Sequence, residues 1–304
     1  MSKQKKLLPI LALVFANVLW GVNIPLVKLG LRSIPLTIFI VIKFLVASLI
    51  FLPFAIKTWK PLTQKEWGLM ACSSLLYITC STVALNVGLQ YAPSINAAVI
   101  GLLGPVLLCM LSVQFLKEHM GLKAIIGVIL AFAGSAIIIG KPWEVSLNGS
   151  TVLLGNVLFL VFVLSGVIST LIAKPILSKI GSYQATFLLL FIGTLPIVPF
   201  ALMRLRDWSF HSITPGGYTA LIYGTIALPL ANLFFFYGLK YKRAHNVAIF
   251  EYIEPVVVII AAWFILAERP SAKFALGAGL VFLGVYLAEV RLPRKLFFYR
   301  YGRR

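Results

Sequence analysis

The sequence predicts an all-α integral membrane fold of ten transmembrane helices, arranged as two five-helix inverted-topology repeats, and three observations carry that prediction. Hydrophobic residues make up 61% of the 304 positions and charged residues 12%, far from the roughly half-apolar, quarter-charged usage of soluble domains. The charges fall in short clusters, and the stretches between them stay apolar for about 20 residues, the length a helix needs to cross the hydrocarbon core. The chain also matches itself at one fixed offset.

Ten segments satisfy the length criterion: 8–30, 36–56, 67–90, 94–116, 122–140, 151–173, 183–203, 214–239, 246–267 and 272–290. They are apolar on every face, so helical periodicity does not set their ends. The basic start followed by Leu7 to Trp20 has the outline of a signal peptide but lacks a small-residue cleavage site, and it is read as a retained first helix. Connections no longer than about 15 residues leave no room for a soluble catalytic or nucleotide-binding domain.

A net charge of +19 would suit a nucleic acid only if it were gathered on one soluble face. Here it lies between spans, so no nucleic-acid partner is expected. Assigning connections alternately, the set that holds Lys3, Lys57, Lys60, Lys174, Lys179, Lys240, Lys242, Arg243 and the tail carries nineteen basic residues, and the other set, with Lys28, Arg32 and Arg204 among its members, carries seven. The positive-inside rule then puts both termini in the cytoplasm. Compact loops and short tails favour a bacterial inner membrane. Asn148-Gly149-Ser150 forms a glycosylation acceptor on the outer side, a tripeptide too short to decide the host. Cys72, Cys80 and Cys109 fall inside apolar segments and form no disulfide or metal pattern.

A shift of 150 residues superimposes Gly88 on Gly238, Tyr91 on Tyr241, Asn96 on Asn246, Pro105 on Pro255, Glu118 on Glu268, Lys123 on Lys273, Gly127 on Gly277 and Gly134 on Gly284 without a gap. Leucine and valine matches carry little weight, whereas shared Gly, Pro, Asn, Glu and Lys positions are informative. Each unit has five spans, an odd number, so the second enters the membrane from the opposite side. Such a pair places a binding site near the midplane.

Trp20-Gly21 and Lys28-Leu29-Gly30 in the first helix, Lys43-Phe44-Leu45 in the second, Leu116-Lys117-Glu118 and Leu266-Ala267-Glu268 closing the fourth and ninth, and the Gly-rich fifth and tenth spans resemble the EamA-type branch of the drug/metabolite transporter superfamily. The similarity covers 8–140 and 151–290 as two units, followed by a basic cytoplasmic tail at 291–304. The resemblance implies a transporter working by alternating access, often an exporter of amino acids or related metabolites, with no cofactor and no ATP-hydrolysing part. Lys43 stands where the family often has arginine, which keeps the charge and loses the bidentate fork.

Ionisable groups inside a span cost about 2.5–3.5 kcal/mol on insertion scales, so they persist where a cavity or partner offsets the cost. Lys43 lies roughly 10 Å into the second helix at about 1.5 Å per residue, where it meets an anionic group or snorkels to the headgroups. Glu251 and Glu254 are three residues apart on one face of the ninth helix. They hold a proton or an ammonium group; alternatively Glu251 snorkels and Glu254 serves backbone freed by Pro255. Trp20, Asn23, Tyr77, Asn86, Asn96, Asn232 and Tyr252 are candidates to line a path, as are Gln114, Asn156, Tyr223 and Tyr237. Trp263 reads as lipid-facing or core.

Other features read as structural. Glu118 and Glu268 sit at span ends beside basic residues. Gly127 with Gly134, and Gly277 with Gly284, present smooth faces for close helix packing within a monomer or across a homodimer. Pro105 and Pro255 fall within spans, where a helix break needs cover from protein or water. No catalytic motif stands around His119, His211 or His245. The sequence therefore favours a secondary carrier for a small-molecule substrate, with protons as a candidate coupling ion, over a cationic or multidrug effluxer and over a non-transporting membrane scaffold. It favours neither an enzyme nor a metal site.

Overall fold

The computed structural model describes residues 3–115 and 150–267, with short helical runs between 122 and 133 and between 276 and 287. Every regular element among the described residues is helical. Helices α1 (Lys3–Gly30) and α2 (Leu36–Lys57) are followed by a composite third span. It consists of α3 (Gln64–Ser74), a π-helical stretch (Leu75–Thr82) and α4 (Val83–Tyr91). The fourth is divided into α5 (Ser94–Gly101) and α6 (Leu103–Phe115). Then come α7 (Ser150–Leu177), α8 (Ser182–Thr194) running through a 3-10 turn into α9 (Val198–Arg204), and α10 (Pro215–Tyr241). The ninth expected span is divided into α11 (Ala244–Phe250) and α12 (Ile253–Leu266).

Seven of these helical runs are long and apolar enough to cross a membrane, and Asn96–Ser112 is a shorter apolar run. The expected spans at 122–140 and 272–290, with Glu118, Glu268, Gly134, Gly277, the Asn148 tripeptide and the tail, lie largely or wholly outside the described residues. Gly127 and Gly284 are described, helical and buried.

Local chemistry explains where the helices start and break. Thr63 and Glu66 form a capping box that satisfies two backbone donors at the start of α3. Thr214 accepts from the Gly217 N–H ahead of α10, whose first residue is proline. The fourth and ninth spans both break four residues before a proline. Pro105 has no N–H to offer Gly101, and Pro255 has none for the Glu251 carbonyl. The Glu254 N–H donates to that carbonyl instead, at 3.2 Å.

The packing partners repeat. Helix α1 lies on α10 and α12, and α7 lies on the composite third span and on α5 and α6. The divided spans cross each other, α6 against α11 and α12 against α5, while α2 lies on α8. Hydroxyl groups tie the third span to its neighbours. Ser73 bonds Ser169 at 2.9 Å, Ser74 donates to the Leu188 carbonyl, Thr79 to that of Gly193 and Ser81 to that of Phe162. A buried hydroxyl–carbonyl bond contributes about 1 kcal/mol, and two of these anchors lie within the π-helical stretch, a geometry frequent at functional sites.

Candidate substrate-binding cavity

Where the divided spans cross, a cavity of 140 Å³ opens, walled by α1, α2, the third span, α7 and α10. Of the residues singled out in the sequence, Trp20, Asn23, Lys43, Tyr77, Asn86, Pro105, Glu251, Glu254 and Pro255 all line it. Asn96, Asn232 and Tyr252 do not. Asn96 donates to the Asn156 carboxamide at 3.0 Å and so joins α5 to α7. Tyr252 is wholly buried and Asn232 is 2% exposed. Tyr223 donates to the Leu19 carbonyl at 2.9 Å, linking α10 to α1. Trp263 is 47% exposed on the rim of the bundle, the lipid-facing alternative.

Lys43 is 1% exposed. Its ammonium lies 4.7 Å from the ring centre of Phe39, one turn earlier on α2, and 4.8 Å from that of Phe44. Those ring faces offset part of the cost of removing the cation from water. No carboxylate among the described residues pairs with it. Its aliphatic stem runs against Gly224 of α10.

The carboxylates come from the break between α11 and α12. Glu254 stands in the first turn of α12, at the positive end of that helix. Glu251 reaches toward α6, where a Cβ on Gly104 would stand 3.9 Å from its Oε2. Tyr77 of the π-helical stretch is within electrostatic range of both acids. Around them, Trp20 Nε1, Asn23 Oδ1 and Asn86 Nδ2 are buried and have no hydrogen-bond partner among the described residues. Such groups normally find partners. The cavity therefore offers donors (Trp20, Asn86, Lys43) and acceptors (Asn23, Glu251, Glu254) to whatever fills it.

Sequence reasoning missed Gly101, Gly104, Ser81, Thr82 and Thr170 on the wall and Gly224 behind Lys43. The glycines of the divided span were within reach. At the 150-residue offset Glu251 falls on Gly101 and Glu254 on Gly104, so glycines stand in the fourth span where the ninth carries the acids. Gly224 carried no signal, because its role depends on a neighbour 181 positions away.

The chain is thus a helical membrane protein whose charged and polar groups converge on a cavity between its spans. The family model of the EamA-like transporter family matches residues 7–140 and 153–289. The chain belongs to that family. It is 28% identical over 273 residues to a protein of Archaeoglobus fulgidus described as an uncharacterized transporter, covering 88% of this chain and 94% of that one. It is also 28% identical over 295 residues to the uncharacterized transporter YvbV of Bacillus subtilis, covering 96% and 94%. One solved crystal structure superimposes with a TM-score of 0.70 at 15% identity, over 91% of this chain and 95% of its own, a likeness of fold alone. The protein is a membrane transporter of this family.

Proposed function

We propose that this transporter is a secondary carrier for a small zwitterionic metabolite, with an amino acid or its derivative the leading class, and that it moves the substrate outward. The observation that carries the reading is that Lys43 and the Glu251–Glu254 pair line one cavity. An ammonium with no carboxylate partner among the described residues suits a substrate carboxylate, and a pair of carboxylates suits an ammonium group or a proton. Trp20 and Asn86 supply neutral donors besides. A cavity of 140 Å³ is comparable with one of about 150 Å³ that admits benzene, and it is small beside the roughly 300–1,000 Å³ of drug-sized sites. The multidrug reading loses support on size, and the cationic one on charge, since a cation would meet Lys43.

The transport cycle in this reading is a rocking of two five-helix units, 8–140 and 151–290, related by inverted topology. The repeated packing partners and the breaks 150 residues apart support it. Glu251 carries the coupling proton, and the membrane is a bacterial inner membrane with both termini in the cytoplasm. Sealed proteoliposomes loaded with labelled amino acids and amines, with and without an imposed pH gradient, test the whole reading. Protein-dependent flux that favours zwitterions is the expected result. Flux of amines alone would assign the site to cations, and no flux from folded protein across a broad panel would point to a scaffold.

A further inference from the structure

A second concavity lies on the outer face of the bundle, between the first half of α1 and the last two turns of α10, with the start of α8 at one end. Its volume is 580 Å³. One wall is the stripe Leu8, Leu11, Ala12 and Phe15, spaced to lie along one face of α1. The facing wall changes character along its length. At the deep end Phe234 meets Phe15, ring centres 6.5 Å apart. Toward the helix end come Tyr237, Lys240 and Tyr241, joined there by Tyr183 of α8. From Phe234 to Tyr241 is seven residues, about 10 Å along the helix, two-thirds of the roughly 15 Å half-thickness of the hydrocarbon core.

We infer that this cleft is a binding site for an anionic phospholipid, one acyl chain lying between α1 and α10 and the headgroup phosphate on Lys240. Charge complementarity identifies the occupant. The Lys240 ammonium donates to the Ile180 carbonyl at 3.1 Å, which leaves two of its three N–H donors for a phosphate. Lys60 lies within electrostatic range of Lys240, and its backbone is held at the start of α8 by two bonds to Gln184, at 2.9 and 2.8 Å. Two neighbouring cations are stabilised by one anion between them. The tyrosines add amphipathic rings at the depth where such rings collect in bilayers. This cleft is separate from the central cavity, with which it shares no residue.

Native mass spectrometry of the detergent-purified full chain, titrated with phosphatidylglycerol or phosphatidylcholine of equal acyl length, tests the inference. The expected result is one phosphatidylglycerol adduct retained at least fivefold over phosphatidylcholine. Lys240→Gln should abolish that preference and Lys240→Arg should keep it. Leu11→Trp, at a position 42% exposed, fills the cleft without disturbing the core and should remove the adduct at an unchanged thermal midpoint. An equal response to both lipids, or a phosphatidylglycerol adduct that survives both Lys240→Gln and Leu11→Trp, would overturn the inference. A dimer lost in Leu11→Trp with no lipid retained by the wild type would assign the cleft to a second copy of the chain, and would also overturn it.

Discussion

The stem of Lys43 fills the space that a side chain on Gly224 would need: a methyl group at that glycine would overlap the lysine Cδ. Helix α10 therefore sets how the ammonium enters the cavity from α2. Gly224→Ala is an overpacking change, and such changes cost about 1–3 kcal/mol. Because the atom in the way belongs to a flexible stem, the lysine should move before the helices do. The expected outcome is a several-fold loss of flux with a modest fall in thermal midpoint. Adding Lys43→Ala to Gly224→Ala should restore the midpoint without restoring flux, as thermal unfolding and a proteoliposome assay would show. An unchanged flux in Gly224→Ala would mean that the position of the ammonium is immaterial.

Lys43→Met separates stability from function. The ammonium is desolvated and has two aromatic faces but no ion-pair partner among the described residues, so an apolar side chain of similar length should leave the fold as stable or more so. A charge-assisted bond to a substrate carboxylate contributes about 1.5–3 kcal/mol, which corresponds to a loss of about tenfold or more in apparent affinity. The prediction is an unchanged or raised thermal midpoint, with a KM for amino acids raised at least about tenfold and little effect on any substrate lacking a carboxylate. A large drop in midpoint would instead make Lys43 a structural residue.

The seven long spans among the described residues were legible because hydrophobicity over about 20 residues is a property of the sequence alone. Their interruptions were only half legible. Pro105 and Pro255 marked the places, but whether a proline bends a membrane helix or divides it depends on what receives the freed carbonyl. The π-helical stretch from Leu75 to Thr82 left no local trace, since its anchors on Phe162 and Gly193 come from spans distant in sequence. Lys43, Glu251 and Glu254 stood out because charge in an apolar run is costly. Asn96 and Asn23 could not be told apart on that ground. Each is an asparagine near a proline, and only the fold shows that one bonds Asn156 while the other keeps a buried oxygen for the cavity.

Two glycines separate room for the substrate from room for the helices. A Cβ on Gly193 would run into the backbone oxygen of Ser74 and the side chain of Ile78, neither of which can turn aside. Gly193→Ala should therefore displace the π-helical stretch, lower the thermal midpoint by the equivalent of about 1–3 kcal/mol, and reduce the yield of folded protein. Gly101 has nothing within 4 Å of its Cβ position and lines the cavity. Gly101→Ala should leave the midpoint where it is and act on transport, excluding larger amino acids before smaller ones. Size-exclusion profiles, midpoints and a substrate-size series would show the contrast. Equal effects of the two on stability would remove Gly101 from the site.

The two acids divide differently. Glu254 stands in the first turn of α12, where a carboxylate favours the helix by about 0.3–1 kcal/mol, so Glu254→Gln should lower the thermal midpoint slightly whatever it does to transport. Glu251 precedes α12 and has its carboxylate near Gly104 of α6, free of that structural duty. Glu251→Gln keeps the shape and removes the site of proton exchange, so flux should persist down a substrate gradient yet stop responding to an imposed pH gradient. Counterflow of unlabelled against labelled substrate at equal pH isolates the first property, and pH-driven accumulation the second. If accumulation survives in Glu251→Gln and disappears in Glu254→Gln, the proton belongs to the acid at the helix start, and Glu251 is left to bind the ammonium group. If it survives in both single variants and disappears in the double variant, the proton is shared across the pair, as the three-residue spacing of two acids lining one cavity allows.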